Sequence, residues 1–431
     1  MSSEPSNPSP KGSSSLSAID HTLHQQWTNW GGNQSATPAY TVRPRTEQEV
    51  IDTVRFAIRE GYPVRALGAG HSFTPVVQTG GVLIDMAHVS AVTGTDPAKR
   101  RVRALGGTAI REFGPPLWEA GLSLANQGDV DHQSIAGALS TGTHGSGIHF
   151  GSFSSTLRWA RILNGHGEVV EVTEKDVREL RAAQVALGTL GILLEVELEV
   201  VPRYYLQEKI TYPTFEETRA NWATDIAENR HYSFLWCPHP DSGALYELPT
   251  PPGESMVNRS YTKRYNEVDV TDEGAEVSTA KGARRDRAYR IYPGGFGIPF
   301  HELEYYVDSR HALEAVEAMQ DLMRTRHPEQ EYPLEVRWVK RDEGLLSPFQ
   351  DRDTTVLSVS GAPGANYWPY LLDVDNLLRE YKARAHWGKI HFLTRDRVAE
   401  LYPDFDQFVA VRREFDPNGV FLNDHTRALV A

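Results

Sequence analysis

Two glycine-rich loops in the first half of the chain could hold the phosphates of a nucleotide cofactor. The first loop, residues 66–72, reads ALGAGHS, and the second, residues 134–147, reads SIAGALSTGTHGSG. Glycine permits backbone conformations in which successive N–H groups approach a pyrophosphate closely. The first loop is not the dinucleotide fingerprint of NAD-binding folds, because Phe73 stands where a third glycine is required and Pro75 follows in place of a helix. Each loop taken alone could also be a tight turn.

A charged segment in the second half of the chain contains residues that could bind and orient a hydroxylated substrate. In residues 334–338, LEVRW, Glu335 and Arg337 alternate with apolar residues, so on a strand both charges project from one face. Ser360 would lie on the polar face of a second strand over residues 354–361. Arginine and carboxylate groups can hold an oxygen-rich ligand through charged hydrogen bonds. The alternative for both segments is a solvated strand at the surface.

A further charged segment, residues 386–389 with the sequence HWGK, combines an imidazole with an ammonium group. On a regular strand His386 and Lys389 would point to opposite faces, so both reach one site only if Gly388 bends the chain. A fixed ammonium group could stabilise negative charge that develops during a reaction. Zinc binding by His386 and His391 is disfavoured, because no acidic ligand lies at a suitable spacing and no HEXXH sequence is present. We therefore predict no metal.

The elements that must position these residues alternate between helices and strands up to about residue 203. Thr46 and Glu49 form a capping box that predicts a helix through Glu60. Strands are predicted over residues 63–67, 81–86, 101–105, 157–172 and 192–201, and helices over 110–120 and 309–326. Residues 250–290 are polar and poor in apolar side chains, which predicts an extended or mobile excursion.

Composition limits the possible classes of function. The chain has 431 residues, enough for two domains, and a net charge of −13 that does not favour nucleic acid or an anionic membrane as a partner. No apolar run is long enough for a transmembrane helix. Cys237 is the only cysteine, which excludes an intramolecular disulfide and favours a cytoplasmic location. Residues 1–20 have the composition of a disordered tail and lack the features of a signal peptide.

In their order along the chain, the motifs resemble the vanillyl-alcohol-oxidase-like flavoproteins, and within them the branch of aldonolactone oxidases, such as D-arabinono-1,4-lactone oxidase, and alditol oxidases. The resemblance rests on residues 65–72 (RALGAGHS), 142–147 (GTHGSG), 335–337 (EVR), 386–389 (HWGK) and 416–419 (DPNG). It implies an α+β fold with an FAD-binding domain of the PCMH type, made of two α/β subdomains, at residues 21–203. A cap domain with an antiparallel sheet flanked by helices would follow at residues 204–385, and residues 386–431 would return to the flavin site.

The same resemblance implies covalent FAD as the cofactor, attached through His71 to the 8α carbon of the flavin. A neutral imidazole nitrogen would add to an electrophilic flavin methide, and the bond would prevent loss of the cofactor. The residues that it places in contact with FAD are Ala66, Leu67, Gly68, Ala69, Gly70, His71, Ser72, Asp129, Ser134, Gly137, Ser140, Thr141, Gly142, His144, Ile192 and His386.

Three catalytic residues follow from the resemblance. Arg337 would hydrogen-bond the reacting oxygen, Glu335 would orient Arg337 or the substrate, and Lys389 would lie near flavin N1, where negative charge builds on the reduced ring. These three residues would also contact the substrate, together with Asp129 and Ser360.

Gly128 and Asp129 bear on the electron acceptor and on the substrate. Related dehydrogenases have a bulkier residue guarding the flavin C4a position, and Gly128 stands in the similar position here, so its missing Cβ leaves room for molecular oxygen. Alditol oxidases have a small serine where Asp129 stands, and this difference favours aldonolactones as substrates.

The expected function is oxidation of a sugar-derived aldonolactone, in which hydride passes from a C–H beside a hydroxyl to flavin N5 and oxygen reoxidises the flavin to give hydrogen peroxide. The alternatives are an alditol oxidase acting on xylitol or sorbitol, and an aldonolactone dehydrogenase that uses a quinone or cytochrome. A hydrolase is disfavoured because no GXSXG nucleophile elbow is present. A flavin-free sugar-binding protein is the remaining alternative, and a flavin spectrum would exclude it.

Overall fold

The computed structural model describes residues 16–251, 253–269, 282–294 and 299–431. In these ranges the chain forms three large sheets and two short two-stranded ladders, with helices between the strands. This mixed architecture confirms the predicted α+β class. Most of the predicted tail and the centre of the predicted excursion at 250–290 lie outside the described residues. Across the described ranges, every helix is too short or too polar to span a membrane.

A four-stranded sheet holds the first glycine loop. Thr46 caps the helix Glu47–Glu60, because its side chain accepts a hydrogen bond from the N–H of Glu49. The second half of the predicted capping box differs, since the carboxylate of Glu49 accepts from the backbone N–H of Arg45 at 2.6 Å and not from that of Thr46. The apolar side of this helix packs on the sheet. The last strand leads directly into residues 68–72, so the loop leaves the sheet at the carboxyl end of that strand. In spatial order the strands are His21–Leu23, Tyr40–Val42, Val82–Asp85 and Val64–Leu67, and the last three are parallel.

A five-stranded antiparallel sheet lies beside the second glycine loop. Part of that loop forms the short helix Ile135–Thr141, and Ser134 caps its first turn by accepting a hydrogen bond from the N–H of Gly137. The backbone N–H of Ala136 donates to the carbonyl of Gly106, at the end of an inner strand, at 3.1 Å. In spatial order the strands are Val169–Thr173, Leu157–Leu163, Ile192–Glu199, Arg101–Leu105 and Val92–Asp96.

An eight-stranded antiparallel sheet forms most of the second half of the chain, as predicted. One face packs on the helices Ala312–Arg326 and Trp368–Arg379, and side chains of the opposite face line a cavity. Because side chains alternate along a strand, Val336 is buried on the helices while Glu335 and Arg337 face the cavity. In spatial order the strands are Arg285–Arg287, Tyr205–Thr211, Arg259–Val268, His231–Cys237, Leu334–Val339, Thr354–Gly361, His301–Asp308 and Arg384–Ala385.

The strand Arg259–Val268 corrects one prediction. It belongs to the region predicted as an excursion, yet it has ten residues and pairs on both edges. Its polar sequence contains Tyr261 and Tyr265, which are four residues apart and buried on one face of the sheet. Backbone pairing with two neighbouring strands stabilises this segment, and composition alone does not reveal that pairing.

The remaining elements connect the sheets and return the chain to the first glycine loop. The backbone N–H of Val64 donates to the carbonyl of Val420 at 2.8 Å, so the C-terminal segment lies against the first sheet. The predicted domain bounds at residues 203 and 385 stay predictions. The other helices are Gly114–Glu119, Val177–Gln184, Phe215–Ala220, Trp222–Glu228, Ser242–Leu245, Ala288–Ile291, Arg395–Leu401, Phe405–Phe415 and Asp424–Val430, and the short ladders pair Trp27–Thr28 with Ser35–Ala36 and Leu122–Ser123 with Val201–Pro202.

Candidate active site

A channel of about 950 Å³, including its open mouth, runs between the two glycine loops. Its walls are mostly backbone and small side chains, which suits close contact with a nucleotide. The predicted cofactor residues that line it are Ala66, Leu67, Gly68, Ala69, Gly70, His71, Ser72, Ser134, Gly137, Ser140, Thr141 and Ile192.

Contacts from both ends of the chain hold the first loop in place. The backbone N–H of Trp30 donates to the carbonyl of Gly70 at 2.9 Å. On the other side, the N–H of Phe73 donates to the carbonyl of Gly388 at 2.7 Å. The loop is therefore fixed between the N-terminal aromatic segment and the turn at residues 386–389.

The backbone of this loop keeps hydrogen-bond donors available. The N–H groups of residues 69–72 donate to no backbone or side-chain acceptor among the residues that the structure describes. Unpaired backbone donors beside a channel are rare in folded proteins unless a ligand or water accepts from them. Consecutive free N–H groups of this kind suit the oxygens of a pyrophosphate.

Gly68 and Ser134 leave no space for an additional side chain between the loops. A Cβ built on Gly68 would lie 2.0 Å from the Oγ of Ser134, far inside van der Waals contact. Gly70 has a φ of 67°, a conformation that residues with a Cβ rarely adopt. The glycines are therefore required by the geometry of the channel, and together with the free N–H groups this arrangement fits the phosphate and ribityl portion of FAD.

His71 lies in the channel wall as a neutral imidazole. Its ring centroid is 5.1 Å from the ring of Trp30 and 4.4 Å from the ring of His132. Burial, together with the neighbouring His132 and Lys389, lowers the pKa of His71 to about 4. A neutral imidazole has a free nitrogen lone pair at pH 7, which is the form that acts as a nucleophile.

A second, larger cavity of about 1590 Å³, including its open mouth, lies above the eight-stranded sheet. Gln133 lines both cavities. The charged side chains that face the second cavity come from both halves of the chain and include Asp129, Lys263, Glu302, Glu304, Glu335, Arg337 and Lys389.

Arg337 is the centre of the charged network in this cavity. Its Nη1 lies 3.2 Å from Oδ2 of Asp129, and its Nη2 lies 2.9 Å from Oε2 of Glu335 and 3.4 Å from Oε2 of Glu304. Burial lowers the pKa of Arg337, but the three carboxylates outweigh burial and raise it well above its usual value. Its Nε is buried and has no hydrogen-bond partner among the described residues.

The three carboxylates around Arg337 differ in their proton affinity. Burial raises the pKa of Glu335, and the nearby charge of Asp129 adds to this effect. Burial also acts on Asp129, but Lys263 and Arg337 outweigh it and lower the pKa of Asp129. The pKa of Glu304 lies well below its usual value, because His144 and Arg337 outweigh the effect of its burial. Glu335 is thus the member of the trio that accepts a proton most readily.

Glu304 also ties the second glycine loop to the sheet. Its Oε1 lies 2.8 Å from Nε2 of His144 and accepts a hydrogen bond from the hydroxyl of Tyr306 at 2.6 Å. His144 was predicted as a cofactor residue, and it lines the second cavity rather than the channel. In the described part of the chain, no cluster of three or more His, Cys, Asp or Glu side chains could hold a metal ion.

His386 and Lys389 both line the second cavity. Two side chains at this spacing reach one site only if the chain bends, as was expected at Gly388. The N–H of Lys389 donates to the carbonyl of His386 at 3.0 Å and closes a tight turn. The ammonium of Lys389 forms an ion pair with Glu302, and burial lowers the pKa of His386 to about 3, so its ring is neutral. This turn also supports the first loop through Gly388.

Gly128 and Asp129 lie in the wall of the second cavity beside Gln133. A Cβ on Gly128 would lie 3.2 Å from the carbonyl oxygen of Val130, a close contact that a shift of a few tenths of an ångström relieves. Asp129 does not face the cavity as a free acceptor, because Arg337 and Lys263 bind its two oxygens at 3.2 Å each.

Two predicted site residues line neither cavity. Ser360 is fully buried, and its Oγ accepts a hydrogen bond from the hydroxyl of Tyr246 at 2.6 Å. Tyr246 lines the cavity in its place, so the expected contact of Ser360 with a substrate would require Tyr246 to move. Gly142 ends the helix Ile135–Thr141 with a φ of 78°.

The sequence reasoning missed Glu302, Glu304 and Lys263. The first two belong to the strand His301–Asp308, where charged and apolar residues alternate in HELEYYVD as they do in LEVRW. The same alternation could have identified them. Lys263 lies in a densely charged segment without a clear pattern, and only its pairing with Asp129 reveals it.

Comparisons with known proteins agree with this geometry. A family model described as FAD binding domain matches residues 38–173, and one described as D-arabinono-1,4-lactone oxidase matches residues 250–429. The L-gulono-1,4-lactone dehydrogenase of Mycobacterium tuberculosis is 34% identical over an alignment of length 424, which covers 94% of this chain and 99% of that protein. The alditol oxidase of a Streptomyces species is 27% identical over an alignment of length 430, which covers 94% of this chain and 98% of that protein.

A solved structure supports the fold over the whole length. The cholesterol oxidase from B. sterolicum superposes with a TM-score of 0.83, covers 100% of both chains and shares 17% sequence identity. At this identity the likeness establishes the architecture and nothing about the substrate. This likeness and the FAD-binding family model matched by residues 38–173 together confirm the predicted α+β fold with an FAD-binding domain.

Proposed function

Because the chain belongs to the aldonolactone oxidase and alditol oxidase branch of the vanillyl-alcohol-oxidase-like FAD flavoproteins, we propose that it is an FAD-dependent oxidase of sugar-derived aldonolactones of the D-arabinono-1,4-lactone type. The observation that supports this most directly is the adjacency of the two cavities. Gln133 lines both, and the ammonium of Lys389 in the second cavity is close enough to lower the pKa of His71 in the first.

FAD, when bound, supplies the hydride acceptor and passes the electrons on to an external acceptor. The chain's contribution begins with holding this cofactor. The free N–H groups of residues 69–72 suit the pyrophosphate, and the neutral ring of His71 suits a covalent bond to the flavin. Such a bond would retain the cofactor through repeated turnover.

Arg337 and Glu335 orient the substrate and take up its proton. Arg337 lines the cavity and can donate a hydrogen bond to the hydroxyl oxygen that is to become a carbonyl. The carboxylate of Glu335 lies 2.9 Å from the same guanidinium. Because burial raises its pKa, Glu335 can accept the hydroxyl proton. Asp129 and Glu304 stay ionised and hold Arg337 in position.

Lys389 and Gly128 act on the electrons. The ammonium of Lys389, held by Glu302, is a fixed positive charge beside the channel and can stabilise negative charge on a reduced flavin. Gly128 presents no side chain to the cavity, which suits access of molecular oxygen. Oxygen as the acceptor and a cytoplasmic location both remain predictions.

A second candidate is an aldonolactone dehydrogenase that uses a quinone or cytochrome. The relative from Mycobacterium tuberculosis that covers almost the whole chain is named a dehydrogenase, which supports this acceptor. The alditol oxidase relative likewise keeps xylitol and sorbitol as alternative substrates.

One experiment tests the reaction and the acceptor together. The purified holoenzyme is mixed under air with arabinono-, gulono- and galactono-1,4-lactones, xylitol and sorbitol, and hydrogen peroxide is measured. Peroxide with a lactone supports the proposal. Flavin reduction by a lactone without peroxide, followed by rapid reoxidation with a quinone, would identify the dehydrogenase, and the absence of reduction by every compound would contradict both candidates.

A second experiment tests the covalent bond. The wild-type protein and His71→Ala are denatured in SDS and separated on a gel, and flavin fluorescence is recorded. We expect fluorescence on the wild-type polypeptide and none on the variant. Fluorescence that persists in His71→Ala would contradict the assignment, whatever the activity of either protein.

A further inference from the structure

Lys263 is a cation of the second cavity to which the proposed mechanism gives no role. It lies on the strand Arg259–Val268, where it pairs with Ile210 on one side and Ser233 on the other. Its side chain is 16% exposed and lines the same cavity as Glu335 and Arg337. Burying a cation costs free energy unless an opposite charge or hydrogen-bond acceptors compensate for the lost water.

Asp129 couples Lys263 to Arg337. Its Oδ1 lies 3.2 Å from Nζ of Lys263, and its Oδ2 lies 3.2 Å from Nη1 of Arg337. The two cations are therefore separated by the width of one carboxylate. A group bound by Lys263 would lie close to a hydroxyl bound by Arg337, within the span of a single small sugar ring.

The ammonium of Lys263 keeps donors available for a ligand. It carries three N–H bonds, and among the described residues its one hydrogen-bond partner is Asp129. Besides Asp129, the charged groups near it are Glu335, which can only accept hydrogen bonds when ionised, and Arg337, whose two Nη atoms are already paired with carboxylates. Lys263 is thus a donor on a wall where acceptors predominate.

This asymmetry separates lactones from open-chain polyols. The ester carbonyl oxygen of a lactone accepts hydrogen bonds and donates none, so a carboxylate cannot bind it. A polyol hydroxyl can donate to the carboxylates instead, and it loses less when an ammonium donor is absent. From this geometry we infer that Lys263, positioned by Asp129, binds the ester carbonyl oxygen of the substrate and selects lactones over polyols. The inference rests on the proposed function and specifies its substrate class.

Lys263→Met tests the inference, because methionine keeps the length of the side chain and removes the donors. Anaerobic flavin reduction by a 1,4-lactone and by the alditol of the same carbon number gives kcat/KM for each without involving the acceptor. We expect the value for the lactone to fall about 10- to 100-fold, the usual effect of losing a hydrogen bond to a charged group. The value for the alditol should change much less, and Lys263→Arg, which keeps the donors, should retain most of the preference.

Lys209→Met is the matched control, because Lys209 lies on the neighbouring strand and is exposed to solvent. It should leave both values unchanged. An equal fall for lactone and alditol in Lys263→Met, or no fall for the lactone, would overturn the inference. If instead the wild-type flavin is reduced by neither compound, the proposed function itself fails, and the two failures are thereby distinguished.

A binding measurement covers the case in which Lys263→Met does not fold. A cyclic 1,4-anhydroalditol has the ring and hydroxyls of the lactone but lacks its carbonyl oxygen. In the wild-type protein its inhibition constant should exceed the dissociation constant of the lactone by about 10-fold or more. Equal constants would show that no residue, Lys263 included, recognises the carbonyl.

Discussion

Gly68→Ala is the substitution with the most direct expected effect on the cofactor channel. The added Cβ would lie 2.0 Å from Oγ of Ser134, and the two atoms must separate by about 1.4 Å to reach the 3.4 Å at which ordinary contacts begin. Rotation of Ser134 removes its cap on the helix Ile135–Thr141 and costs about 1 kcal/mol. For a domain of the length of residues 21–203, the predicted FAD-binding domain, that loss corresponds to a fall in Tm of about 2–4 °C. Both residues line the channel, so the displaced atoms also narrow the space for FAD.

The assay compares FAD content and Tm of the purified variant with those of Gly80→Ala. Gly80 lies in the same half of the chain, and a Cβ there meets nothing within 4 Å. Gly68→Ala should contain much less flavin than this control and unfold a few degrees lower. In the double variant with Ser134→Ala the combined loss of stability should be smaller than the sum of the single losses, because both changes remove the same cap. Equal flavin content in Gly68→Ala and Gly80→Ala would refute the reasoning that this loop encloses the cofactor.

Two further predictions concern oxygen and pH. Gly128→Ala should slow reoxidation of the reduced enzyme by oxygen at least several-fold and leave the rate of anaerobic reduction unchanged. The reason is that the new methyl group fits beside Val130 and occupies the cavity wall. Stopped-flow absorbance measures both rates, and an unchanged rate of reoxidation would remove the role of Gly128. The free energy of unfolding should fall as the pH falls below about 6.5, because burial lowers the pKa of His231, His386 and His391 to about 3 each while the unfolded chain still takes up protons near pH 6.5. Each histidine contributes up to about 1.4 kcal/mol per pH unit to this fall between the two pKa values. His391→Gln should therefore make the free energy of unfolding fall less steeply between pH 7, 6 and 5, as measured by denaturant unfolding. The same slope in the variant and the wild type would contradict a buried, neutral His391.

The local patterns that predicted structure correctly have their cause within a few residues. The cap at Thr46 depends on one hydroxyl and one N–H three residues later. Likewise, the shared face of Glu335 and Arg337 depends only on the alternation of a strand. Such short-range physics is fully written in the sequence.

The features that the sequence patterns did not reveal depend on partners distant along the chain. The strand Arg259–Val268 forms because two other strands pair with it, and its polar composition gives no indication of them. Ser360 points to the correct face, yet Tyr246, 114 residues away, lies between it and the cavity. The pairing of Asp129 with Lys263 joins two halves of the chain across 134 residues.

Short sequence motifs therefore indicated residues of the candidate site, but they did not indicate the contacts between those residues. The glycine loops, His71 and the Glu335–Arg337 pair are recognisable as short strings. Their proton affinities are not, because the raised pKa of Glu335 and the lowered pKa of Asp129 depend on burial and on charges from other strands.

The buried guanidinium of Arg65 makes the first loop dependent on residues that are synthesised much later. Its N–H groups donate to the carbonyls of Val76, Leu187 and Phe421 at 2.5–2.6 Å, and Phe421 also lines the cofactor channel. Residues 65 and 421 are 356 positions apart. At a translation rate of about 5–20 residues per second, Phe421 is synthesised roughly 20–70 s after Arg65. Loading of the flavin is consequently expected to follow translation of Phe421, because a nascent polypeptide that lacks this residue would have an incomplete cofactor channel.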